Sequence, residues 1–82
     1  MNVISEIKLC ELINGALELE IGKVDVGSSS ENIDAWDSLG HLSILATLDR
    51  YLDGKAASLT ELASATSVKN ILIVLKHNSL YV

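Results

Sequence analysis

In residues 36–52, WDSLGHLSILATLDRYL, apolar side chains return every three or four positions. Leu39, Leu42, Leu45, Ala46 and Leu48, followed by Leu52, make a broad apolar face at helical spacing, so a helix from about Ser38 to Leu52 is expected. Asp37 is placed to cap it and Ser38 then falls in its first turn. Asp53-Gly54 ends it. The nearest thing to a strand pattern is LELEI at 17–21, and no partner strand stands elsewhere in the chain. A helical fold follows.

The other segments extend this reading. Val3, Ile7, Cys10, Ile13 and Leu17 recur at helical spacing, with Glu6, Lys8, Glu11 and Asn14 mostly off that line and Leu12 outside it, so a first helix is expected over 3–17. Gly22, Gly27 and Ser28-Ser29-Ser30 then mark a long loop, with Val24, Val26, Ile33 and Trp36 as its anchors. SLTE at 58–61 has the capping-box pattern, Ser58 as cap and Glu61 as the reciprocal acceptor, and is expected to open a short helix to about Ala65. A last helix starts at Thr66 or Ser67, lines one face with Val68, Ile71, Leu72 and Leu75, and places Lys76 and His77 at its C-terminal end, where positive charge is favoured. The expected fold is all-α: one domain over 1–82, a small four-helix bundle of three longer helices and one short one, with a long loop between the first two.

Composition limits what such a bundle can do. A domain of 82 residues buries about 60–65% of its unfolded surface, which leaves little volume for a deep catalytic pocket. Phe is absent and only Trp36, Tyr51 and Tyr81 are aromatic, so the core is aliphatic. The net charge of −5, with the bases scattered, argues against nucleic acid and anionic membrane surfaces. Cys10 is alone, which excludes an internal disulfide and a cysteine metal cage and reads as a small core residue. Asp25, Glu31, Asp34 and Asp37 make the loop acidic without the spacing of a calcium loop, so no metal site is expected. Ile71 to Leu75, the longest aliphatic run, is too short to span a bilayer. The N-terminal residues do not read as a signal peptide, and a cytoplasmic monomer is the expectation.

Ser38 carries the chemical interest. As isolated residues, Asp37 and Ser38 read as a helix cap. A nucleophile with His41 as base and Asp37 as orienting acid would need glycine two residues before the serine as well as after it; Gly40 is present, but Trp36 occupies the other position, and no alternating strand–helix pattern supports an elbow. His41 reads as a surface or half-buried helix residue. The remaining option is attachment, because a helix start is accessible and its amides and dipole favour an anionic group.

With its neighbours, Asp37-Ser38-Leu39 resembles the attachment segment of the acyl carrier protein family, and WDSLGHLSILATLDRYL stands within the family's order: amphipathic helix, long loop, Asp-Ser-Leu, Leu-rich helix, short helix, Val/Ile/Leu helix. The resemblance covers nearly the whole chain. It implies 4′-phosphopantetheine in phosphodiester linkage to Ser38, donated by coenzyme A through a phosphopantetheinyl transferase, with acyl intermediates carried as thioesters to acyl-loading and acyl-processing enzymes. Such a carrier is not an enzyme. Asp37, Leu39 and Leu42 are then the expected partner-recognition residues. After Ser38 the second helix segment has only Asp49 and Asp53 as acids, with Arg50 between them and His41 near the start, whereas fatty-acid carriers are richly acidic there. That departure points to a specialised pathway. The competing reading is a helical protein–protein interaction module that carries nothing.

Overall fold

The computed structural model describes residues 3–81. Among these, three α-helices form the frame: α1 (Glu6–Ala16), α2 (Ser38–Tyr51) and α3 (Val68–His77). Two consecutive 3-10 turns, Lys55–Ser58 and Thr60–Ser64, stand between α2 and α3. There is no strand among the described residues, only two isolated bridges, Ile4 with Tyr81 and Ser29 with Ser67. The fold is small and mostly helical, as expected. Where the short fourth helix is expected stand the two 3-10 turns instead of an α-helix, and the domain expected over 1–82 extends to residues 1, 2 and 82, outside the described residues.

The 3-10 geometry has a physical cause that spacing reveals. Ala56, Leu62 and Ala65 are buried and Leu59 is packed against the core. These four positions are three residues apart, the period of a 3-10 helix rather than an α-helix. The backbone follows the same step: the amides of Leu59, Leu62 and Ala65 donate to the carbonyls of Ala56, Leu59 and Leu62 at 3.0, 3.0 and 3.1 Å. The capping box is therefore not made. Ser58 ends the first turn, and its hydroxyl donates back to the Lys55 carbonyl at 2.9 Å. Asp49 on α2 holds this segment from outside by accepting the Ala57 amide at 2.9 Å.

α1 begins later than its apolar spacing indicates. Ser5 is the cap, accepting the Lys8 amide at 3.1 Å, while Ile4 runs extended and donates its amide to the Leu80 carbonyl at 2.7 Å. This joins the two ends of the described chain and leaves Ile4 fully buried. The buried stripe of α1 is Leu9 and Ile13, continued by Leu17, not the line through Val3 and Ile7; Ile7 is 73% exposed, Cys10 is half-buried, and Leu12 packs against the core. α3 forms as its pattern dictates: Ser67 caps it by accepting the Asn70 amide at 3.0 Å, and Val68, Ile71, Leu72 and Leu75 are buried, joined by Val74. Lys76 and His77 lie in its last turn.

Packing then sets the shape. α1 lies against both α2 and α3, and the second 3-10 turn rests on α2 and α3 together. The loop over 17–37 is tied to the start of α3, where the Ser30 amide donates to Thr66 and the Val68 amide to Ser28. Val24 and Trp36 anchor it in the core and Ile33 packs on the core's edge, but Val26 stays 38% exposed.

The buried stripe of α2 is also displaced. It runs through His41, Ile44, Leu48 and Leu52; Leu39 and Leu42 are 75% and 61% exposed, and Ala46 is exposed. The helix is turned so that a histidine, not a leucine pair, faces inward. That frame is tolerable because both ring nitrogens of His41 find partners.

Candidate functional site

The start of α2 is built by three local devices. Asp37 is the cap, its Oδ1 accepting the Gly40 amide at 2.8 Å, and its own carbonyl accepts the His41 amide at 2.8 Å. The amides of Ser38 and Leu39 belong to the set of donors a helix start leaves without intrahelical partners. Before the cap, Trp36 folds under the first turn against His41, four positions into the helix: the placement of a hydrophobic staple. Here the staple is bonded. The indole Nε1–H donates to His41 Nδ1 at 3.0 Å, the ring planes are 16° apart and their centroids 6.2 Å apart. An indole N–H lies in its ring plane, so the rings meet edge to edge through this bond rather than face to face.

The bond assigns the histidine tautomer. Indole nitrogen can only donate, so Nδ1 is the acceptor and Nε2 carries the hydrogen. Nε2–H donates to the Leu62 carbonyl at 2.8 Å. His41 thus links the loop, α2 and the second 3-10 turn, and is buried rather than half-buried or at the surface. Neither ring nitrogen is left for Ser38, and Asp37 is engaged with an amide rather than with the imidazole. The three residues that a nucleophilic reading would join are separately employed.

Ser38 itself is exposed at the first position of α2. Beside it opens a cleft of about 510 Å³. It is lined by Trp36 and Asp37, by Ser38, His41, Leu42 and Leu45 of α2, and by Ala63 and Thr66, so α2 and the second 3-10 turn both contribute to it. Leu39 and Leu42 project from the same end of α2, and Asp37 is exposed next to them. All four residues singled out by sequence lie at one end of one helix. Sequence reasoning met His41 and Gly40 only in weighing a nucleophile and missed the structural parts they play here. A side chain at Gly40 would run into the Ala35 carbonyl oxygen, and its Cβ would come within 2.9 Å of the Leu17 side chain. This glycine lets the loop and the end of α1 close onto the first turn of α2.

Among the described residues no group of His, Cys, Asp and Glu is arranged to hold a metal ion, and no helix is long and apolar enough to cross a membrane. No family model matches the chain, and neither a curated protein nor a solved structure matches it.

Proposed function

We propose that this chain is a carrier of the acyl carrier type, with 4′-phosphopantetheine joined to Ser38 and acyl intermediates held as thioesters on the arm. The observation that carries the reading is the exposed Ser38 hydroxyl at the first position of α2, beside its own apolar cleft and free of the His41 imidazole. A phosphodiester there meets the orphan amides and the positive end of the helix. The cleft is open and mostly apolar, and each methylene laid in it contributes about 0.8 kcal/mol, so a short chain is held weakly and released to the next enzyme. The carrier does no chemistry of its own. Its partners in this reading are a phosphopantetheinyl transferase of the cytoplasm and the enzymes that load and process the acyl group.

The outward side of α2 favours a dedicated pathway. Leu39 and Leu42 stand exposed, Arg50 is exposed, and Asp49 is half-buried and committed to the Ala57 amide. A partner that grips this surface gains more from apolar contact than from paired charges.

The test is direct. Incubated with coenzyme A and a broad-specificity phosphopantetheinyl transferase, the protein should gain the mass of one phosphopantetheine, and Ser38→Ala should gain none. No gain in the parent would remove the carrier reading and leave the Leu39–Leu42 surface to an interaction module; gain in the variant would move the site elsewhere. Asp37→Asn separates recognition from folding. Asparagine caps about as well as aspartate, so unfolding in urea should change by less than about 0.5 kcal/mol while arm transfer slows. Unchanged transfer rates would take Asp37 off the recognition surface.

A further inference from the structure

A second and larger groove, about 740 Å³, lies between α1 and the loop that follows it and shares no lining residue with the Ser38 cleft. Its floor is Asn14 and Val24, both buried, with half-buried Cys10 beside them. Its rim is apolar and open to solvent: Ile7, Ile21 and Val26 are 73%, 100% and 38% exposed. The rim is not a loose loop end. Asn14 pins the loop on both sides of Ile21, donating to the carbonyls of Leu19 and Glu20 at 2.9 Å each and accepting the amides of Lys23 and Val24 at 3.1 Å each. A lone exposed isoleucine would mean little, but Ile7, Ile21 and Val26 are exposed around one groove, and clustered exposed apolar surface marks interaction sites.

The charge around the groove says what covers it. Glu6, Glu11 and Asp25 line it and no Lys or Arg does. Lys8, the neighbouring base on α1, is half-buried, with its ammonium over the Tyr51 ring and 3.9 Å from Glu11, so it offsets part of the Glu11 charge and leaves Glu6 and Asp25 as the stronger acids of the rim. The negative field reaches the floor: burial, then Glu6 and Asp25, push the Cys10 thiol up from its ordinary value. A second copy of a chain of net charge −5 would set acid against acid here, and nucleic acid would do the same.

We propose that this groove docks an amphipathic basic helix of a partner protein, its apolar face seated between Ile7, Ile21 and Val26 and its Lys or Arg residues meeting Glu6, Glu11 and Asp25. This is recognition of a helix in a groove, with charge setting partner choice and apolar burial the affinity. It holds whether or not Ser38 carries an arm, and it would let a partner hold the chain while the Ser38 end stays free.

The probe is a capped synthetic peptide that forms an amphipathic helix of leucine and lysine, titrated into the 15N-labelled full chain beside a counterpart with glutamate for every lysine. Amide shifts should cluster over 6–11 and 19–26, and bound peptide should slow alkylation of Cys10. Ile7→Gln with Ile21→Gln should weaken binding by roughly tenfold or more with the melting temperature unchanged, since neither side chain is in the core. The glutamate peptide should bind more weakly than the lysine one. Shifts centred on Leu39 and Leu42, equal binding of the two peptides, or undiminished affinity in the double variant would each overturn the proposal. So would sedimentation showing a dimer of the chain alone that the double variant abolishes, because the occupant would then be a second copy.

Discussion

Asn14→Ala is expected to destabilise the protein by about 3 kcal/mol, a fall in Tm of roughly 12–24 °C for a domain of this size. Asn14 uses its whole hydrogen-bonding capacity on the backbone: both amide hydrogens go to carbonyls at 2.9 Å and the carbonyl oxygen takes two amides at 3.1 Å. The alanine variant takes one partner from each of four backbone groups, of which the Lys23 amide and the Glu20 carbonyl keep the 3.3 Å bond they make to each other. Val24 is buried, so its amide would bear a desolvation cost of about 1–3 kcal/mol. The groups on Leu19, Glu20 and Lys23 are closer to water and recover part of their loss. Asn14→Asp sharpens the test. Aspartate still accepts the two amides but points a carboxylate oxygen at two carbonyls, so it should rescue less than half of the loss. Urea unfolding followed through the fluorescence of Trp36, the single and buried tryptophan, measures both variants. An alanine variant within about 1 kcal/mol of the parent would mean that the loop keeps its shape without this side chain.

What the sequence makes legible here is the chemistry that closes within a few residues. Asp37, its target amide on Gly40 and the exposed Ser38 lie within one turn, so capping rules place the start of α2 where it is found. α3 is legible for the same reason, with a cap at Ser67 and one apolar stripe. The buried faces of α1 and α2 are another matter. Both helices carry apolar residues in more than one frame, and the frame is decided by polar groups whose partners are distant in sequence. His41 faces inward because a carbonyl 21 positions later receives its Nε2–H. Asn14 faces inward because amides up to ten positions later are brought to it. Counted as polar, each argues for the wrong face. The 3-10 segment is an opposite case: the three-residue spacing of Ala56, Leu59, Leu62 and Ala65 is present in the sequence, and the capping-box pattern at Ser58 competes with it. The spacing prevails because it carries the buried side chains, while the cap offers one exposed hydroxyl.

Gly40→Ala and Gly15→Ala are expected to change stability in opposite directions, although both exchange a helical glycine for the best helix former. In an exposed helix interior the exchange stabilises by about 0.5–1 kcal/mol, through the lost freedom of the unfolded chain. Gly15 is exposed in the last turn of α1, where a Cβ touches nothing within 4 Å, so the exchange should stabilise there too, at the lower end of that range. Gly40 differs. Its Cβ would occupy the space of the Ala35 carbonyl oxygen and press the Leu17 side chain at 2.9 Å. The leucine is the end of a side chain and can shift; the carbonyl belongs to the backbone that delivers Trp36 under the helix. Overpacking costs about 1–3 kcal/mol, and a clash with backbone belongs at the upper end, so the net loss is about 2 kcal/mol and roughly 8–16 °C in Tm. Relief would come by moving residues 35–37 away from α2, which lengthens the Trp36–His41 bond and lets water reach the indole. The Trp36 emission of folded Gly40→Ala should therefore shift to the red, while that of Gly15→Ala should match the parent. The same movement displaces Ser38 from its cleft, so arm transfer, where it occurs in the parent, should slow in the first variant and not in the second. A Gly40→Ala protein as stable as the parent, with unshifted emission, would show that the loop yields at Ala35 without disturbing the staple, and that glycine at position 40 is not what closes this end of α2.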